Sequence, residues 1–310
     1  MTFPPVTSVR FGLRSVRFCL LFIALWALMP ANVRADISQK DARRAIQTML
    51  GASLPNSAVR VQRVNNGTEG TAAATVEIQA VFHARQVDGR WRLSEIRTGP
   101  QSWEQLELFA QALGVKLPEG GCDAPSQFVR SASATEINVK RARCLVAELL
   151  GVTLPSDQVR IRDLSSLELP FGSESSALIE ALVQVDFRFA RGARGWQVSE
   201  FKSGNREWAR IETLASALNE AKRAAAASDL NTIAAALNDF RRERGSFVVS
   251  DKQSVLIDHL NPRYLRRVIR LDPWHRPYQY EGAPDHFSLR SLGADGKPQT
   301  GDDVTVSGAL

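Results

Sequence analysis

The sequence repeats itself. "ISQKDARRAIQTMLGASLPNSAVRV" (37–61) and "INVKRARCLVAELLGVTLPSDQVRI" (137–161) are identical at ten of 25 positions at a fixed offset of 100. The shared residues are Ile37, Lys40, Ala42, Arg43, Leu50, Gly51, Leu54, Pro55, Val59 and Arg60. Further on the match resumes at an offset of 105, pairing Phe82 with Phe187, Trp91 with Trp196, Glu95 with Glu200 and Trp103 with Trp208. A repeat of this kind means one supersecondary unit used twice, here of about 80 residues, with five residues inserted in a loop of the second copy.

Each copy predicts the same order of elements. A helix runs to Gly51 or Gly151, and "SLP" or "TLP" turns the chain. A short strand follows, then an alternating one. Val76, Ile78, Ala80 and Phe82 share one face in the first copy, and Ile179, Ala181, Val183, Val185, Phe187 and Phe189 share it in the second. A turn at "DG" or "GARG" leads to a third strand, and a last helix begins near Trp103 or Trp208. The predicted fold is α+β: two tandem α-β-β-β-α modules at 36–118 and 136–218, joined by a Gly/Ser-rich linker at 119–135. The two could pack as a pseudo-symmetric pair. Trp91 and Trp196 read as core residues. His83 projects from the polar face with no partner at ligand spacing.

The first 35 residues are of another kind. Arg10, Arg14 and Arg17 precede the uncharged run "FCLLFIALWALMPA", and "NVRA" places Val33 and Ala35 at the small-residue positions of a cleavage site. The expectation is a signal peptide over 1–35 and a periplasmic or secreted chain, with no membrane span after cleavage. The alternative is an inner-membrane anchor kept through an uncleaved signal. Four of the 39 basic side chains lie in this segment and none of the 33 acids, so 35 basic side chains remain against 33. A net charge of +2, without a basic stripe interleaved with aromatics, argues against a nucleic-acid partner. The two remaining cysteines, Cys122 and Cys144, are expected to form a disulfide in an exported protein. Cys144 points away from the apolar face Ala142, Leu145, Val146, Leu149 and Leu150. Two unpaired thiols are the other possibility.

From Arg206 to Gly245 no proline or glycine interrupts the chain. Apolar residues recur at three-four spacing, first at Trp208, Ile211, Leu214 and Leu218, then at Leu230, Ile233, Leu237 and Phe240. One long helix or two, the second capped by Ser228-Asp229, both fit. Beyond it, "PYQYE" and "HFSLRS" predict two short strands ahead of "SLGADGKPQTGDDVTVSG" (291–308). That stretch holds three carboxylates, Asp295, Asp302 and Asp303, with glycines at 293, 296 and 301 and an oxygen donor at Thr300. With neither cysteine nor histidine in the loop, zinc and copper are disfavoured. The spacing is not that of an EF-hand. The residues alone allow a solvated acidic turn or a loop folded round a hard cation.

"DLNTIAAALNDFRRERGSF", "DPWHRPYQY", "FSLRSLGADG" and "GDDVTV" together resemble the globular part of the major, G-type pseudopilin of type II secretion systems, over about Ser228 to Gly308. The resemblance implies a long helix leading into a small β-domain (219–310) whose last loop binds Ca2+. The ligands implied are the carbonyl of Leu292, the side chain of Asp295, the carbonyl of Lys297, Thr300, and the side chains of Asp302 and Asp303. It also implies partners among secretion or pilus-machinery proteins. His275 stands where the family usually has glycine, and Val248 and Val249 replace an expected proline. The pilin processing site and its glutamate are not found, so the chain is not expected to polymerise as an ordinary pilin subunit. No nucleophile elbow, metal-histidine cluster or phosphate loop suggests an enzyme. The reading is a non-enzymatic exported assembly protein. The alternative is a periplasmic ligand- or partner-binding protein whose repeats bind while the calcium domain is a structural cap.

Overall fold

The computed structural model describes residues 36–50, 54–68, 70–98, 103–117, 122, 137–169 and 172–309. The expected signal peptide, 1–35, and nearly all of the linker lie outside the described residues.

In the first copy, helix α1 (Gln39–Leu50) is followed by strands β1 (Val59–Asn66), β2 (Thr71–Val87) and β3 (Arg90–Thr98), a two-residue strand β4 (Glu104–Gln105) and helix α2 (Leu106–Leu113). In the second, α3 (Val139–Leu150) precedes β5 (Val159–Leu169), β6 (Gly172–Gly192), β7 (Gly195–Ser203) and β8 (Ala209–Arg210). The first helices are capped at the same repeat position by different residues. Ser38 Oγ accepts from the Asp41 amide, and the Asn138 side chain accepts from the Arg141 amide.

All eight strands form one sheet, ordered β4-β3-β2-β6-β7-β8, with β1 beside β2 and β5 beside β6. The long strands β2 and β6 meet antiparallel from Thr71↔Ala190 to Arg85↔Ser176. At their midpoint Ile78 faces Val183, its own counterpart 105 positions on, so a local two-fold axis relates the copies. The irregularities repeat too. A bulge lies between Val61 and Arg63 and again between Ile161 and Asp163, and another between His83 and Ala84 and again between Arg188 and Phe189.

The alternation expected of β2 and β6 is what buries them. Val76, Ile78, Ala80 and Phe82 are buried, as are Ile179, Ala181, Val183, Phe187 and Phe189, with Val185 partly so. The two cores, however, do not follow the boundary between the repeats. The core under α3 combines Ile137, Ala142, Leu145, Val146 and Ile179 with Phe82, Trp91 and Leu93 of the first copy. The core under α1 combines Ile37, Ala42, Ile46 and Val76 with Phe187 and Phe189 of the second, and Trp196 and Phe201 pack against it. Each copy's β2–β3-type hairpin therefore finishes its partner's core. Trp91 is 1% exposed.

On the opposite, polar face His83 does have a partner. Its Nδ1 lies 2.8 Å from Glu95 Oε2, and its ring is 5.8 Å from that of Trp103. Strand pairing supplies this neighbour, because His83 and Glu95 are opposed across β2–β3. The second copy repeats the arrangement with Arg188 on Glu200 and over Trp208.

Helix α4 (Ile211–Arg244) is one continuous rod of 34 residues, about 50 Å long. Asp229 does not cap a second helix. Its carboxylate instead accepts from the Tyr278 hydroxyl at 3.0 Å and from Arg267 at 3.1 Å. Helix α4 packs on α2. The second half buries Leu230, Ile233 and Leu237 beneath a head made of α5 (Gln253–Leu260) and a three-stranded sheet, β9 (Gln279–Gly282), β10 (His286–Ser291) and β11 (Val304–Ala309), ordered β11-β10-β9. Body and head are joined at Glu104, whose carboxylate is 2.7 Å from the buried Lys222 ammonium and 3.4 Å from His275 Nε2. Among the described residues no helix is long and apolar enough to cross a membrane.

Candidate cation-binding loop

The loop between β10 and β11 is built on the "DPWHR" turn. Asp272 is buried, and its carboxylate accepts from the amides of Trp274 (3.0 Å) and Arg276 (2.9 Å) and from the Ser291 hydroxyl (2.6 Å). That triple acceptance ties the turn to the end of β10. The Arg276 guanidinium then donates to the carbonyls of Gly293 and Ala294, fastening the start of the loop. His275 adopts a φ of +66°, the left-handed conformation that glycine takes without strain. Histidine holds that conformation here, and its imidazole is used at the Glu104 joint.

Two glycines are required, Gly293 by close approach of backbone and Gly296 by its backbone conformation. A Cβ on Gly293 would meet the Asp302 carbonyl at 2.4 Å, and one on Gly296 would meet the Arg276 guanidinium at 2.8 Å. Both also have positive φ, +61° and +68°. The loop's beginning and end are thus in contact.

Within it, the Thr300 hydroxyl lies 2.7 Å from Asp302 Oδ1, 3.3 Å from Asp295 Oδ1 and 3.0 Å from the Lys297 carbonyl. Asp302 Oδ2 accepts from the Asp295 amide at 2.9 Å, and Asp295 Oδ1 from the Lys297 amide at 2.8 Å. The Leu292 carbonyl accepts from the Gly296 amide at 3.1 Å. The Thr300 hydroxyl, followed by the Asp295 amide, holds the Asp302 carboxyl down to about 2. Asp303 Oδ2 takes the Gln299 amide at 2.8 Å, whereas its Oδ1 is buried without a hydrogen-bond partner.

The structure therefore gathers Asp295, Lys297, Thr300 and Asp302 around one hydroxyl, with Leu292 at the loop's entry. Asp303 stands apart, and the three carboxylates do not all come within 4.8 Å of one another. The donor set suits a hard cation: carboxylates, a hydroxyl and carbonyls, all oxygen. The buried, unpartnered Asp303 Oδ1 is the atom most in need of one. The scaffold formed by Asp272, Arg276 and Ser291 was not picked out from the sequence. Its signal is a buried acid and an arginine four residues apart in "DPWHR".

Among the described residues, Cys122, Cys144 and Glu148 do bring three ligand-type atoms within 4.8 Å. The two sulfurs are 2.12 Å apart with Cα atoms at 5.8 Å, which is disulfide geometry and leaves no thiolate for a metal. The polar sheet face carries a cleft of about 730 Å³ at Asn65, Asn66, Arg188, Glu200, Arg210 and Glu212.

A small sheet thus sits on a long helix and is closed by a loop whose donors are all oxygen. Residues 213–307, which span α4 and the head, match the family model described as "Type II secretion system (T2SS), protein G". The match covers under a third of the chain and leaves the first repeat and nearly all of the second outside. No curated protein and no solved structure gives a significant match.

Proposed function

We propose that this chain is a non-enzymatic, exported assembly protein of a type II secretion or pilus-like envelope machine, engaged through its pseudopilin-like head. The observation that carries the reading is the coincidence of the family match with one structural unit, α4 plus the head, whose terminal loop has the donors of a hard-cation site. The loop would hold Ca2+ through Leu292, Asp295, Lys297, Thr300, Asp302 and Asp303. Bound there, the cation would supply positive charge to the loop's carboxylates. The chain's own part is to hold the loop closed through Arg276 and Asp272 and to keep the donors oxygen-only. Binding energy then stabilises the head. The repeats form the body that carries it. An exported location accords with the paired Cys122 and Cys144.

The cleft at Arg188 and Glu200 favours a second reading, in which the repeats bind a ligand or partner and the head is a cap. Photo-crosslinking in the envelope separates the two. A crosslinker in place of Arg290 on β10 is expected to capture secretion-machinery proteins, and one in place of Gln197 at the cleft is expected to capture none. Capture from Gln197 alone would overturn the first reading.

A further inference from the structure

Three of the exposed large aliphatic side chains among the described residues lie on the head: Val249 (62% exposed), Leu271 (50%) and Val268 (40%). Val268 and Leu271 belong to "RRVIRL" (266–271), in which Arg266, Arg267 and Arg270 are also exposed. Leu265, just before this segment, and Ile269 within it are buried and anchor it to the head core. The Gln253 side-chain amide donates to the Arg270 carbonyl at 2.6 Å, which brings the start of α5, with exposed Lys252, beside the segment. Of the cations here, Arg263 is paired with Glu243 and Arg267 with Asp229. Among the described residues, Arg266, Arg270 and Lys252 have no carboxylate partner; the exposed Asp251 adjoins Lys252, and Asp272, two residues after Arg270, is buried and taken by the Trp274 and Arg276 amides and the Ser291 hydroxyl.

We infer that this segment is a docking surface for an anionic phospholipid bilayer. Guanidinium groups pair with phosphate oxygens in a planar, bidentate way that suits lipid headgroups. The aliphatic side chains are interleaved with the cations rather than gathered into an apolar, aromatic centre with a polar rim, which is how a protein interface is built. Interleaving is the pattern of a surface that lies at the headgroup level, with cations on phosphates and short aliphatic side chains among the first methylenes. Such a contact would hold the head against the membrane independently of the cation loop.

The test uses residues 36–310, because 37–310 form one compact unit and the apolar N-terminal run is then absent. Co-sedimentation is measured with vesicles of one part phosphatidylglycerol to three parts phosphatidylcholine (roughly one charged lipid in four) and with pure phosphatidylcholine. The expected result is binding to the anionic vesicles that weakens with salt, falls about tenfold or more in Arg266→Glu/Arg270→Glu, and falls in Leu271→Ser with the charge intact. Both variants change exposed side chains, and an unaltered melting temperature verifies their fold. No binding to anionic vesicles at low salt, equal binding to both vesicle types, or wild-type binding by the charge-reversed variant would each overturn the proposal. So would patch-dependent capture of an acidic protein without vesicle binding.

Discussion

Trp91→Ala destabilises the whole chain by about 3–5 kcal/mol, the range for removing a buried aromatic from a core that cannot collapse around the gap. The indole is 1% exposed and lies not under its own copy's first helix but under α3 of the other. The loss therefore appears as a shift of one cooperative transition, read by chemical denaturation with circular dichroism. Trp196→Ala, whose ring packs only partly buried at the edge of the other core, costs less. For the same reason residues 36–118 alone stay unfolded, since Phe187 and Phe189 of the second copy complete the α1 core. Two independent transitions, or a folded 36–118 fragment, would contradict interlocked repeats.

Glu104→Ala costs about 2–4 kcal/mol, because it strands a buried cation. The Lys222 side chain is 8% exposed and its carboxylate partner sits at 2.7 Å, while Glu104 itself keeps 29% exposure, which places the effect at or below the range for a wholly buried pair. Lys222→Met removes the charge but keeps the buried stem, and is expected to cost about 1 kcal/mol or less. Glu104→Ala combined with Lys222→Met should recover most of the loss seen in Glu104→Ala. A double variant no more stable than Glu104→Ala would show that the ion pair is not what joins body to head. His275, 3.4 Å from the same carboxylate, belongs to this joint.

The elements of both repeats were legible because period-two burial in β2 and β6, and three-four spacing in α4, are local signals. How the repeats combine was not. The β2–β6 pairing depends on two strands about 100 residues apart, and nothing in either strand marks its partner; for the same reason His83 looked alone until Glu95 was placed opposite. The continuity of α4 through Ser228-Asp229 was undecidable locally, since both are good caps. Asp229 is drawn instead to Tyr278 and Arg267, both distant in sequence. In the loop, residue types and glycine spacing were readable from the chain. The Asp272–Arg276–Ser291 scaffold and the unpartnered Asp303 Oδ1 needed coordinates, because burial decides them.

Calcium titration of residues 36–310 tests the loop most directly. Isothermal titration is expected to give one Ca2+ site, with a rise in the head's melting temperature that EGTA reverses. Asp303→Ala should abolish both the heat and the shift, while Asp251→Ala, an exposed acid outside the loop, should leave them unchanged. No binding heat and no shift in the wild-type chain, or an Asp303→Ala chain that binds like it, would contradict a calcium-closed head.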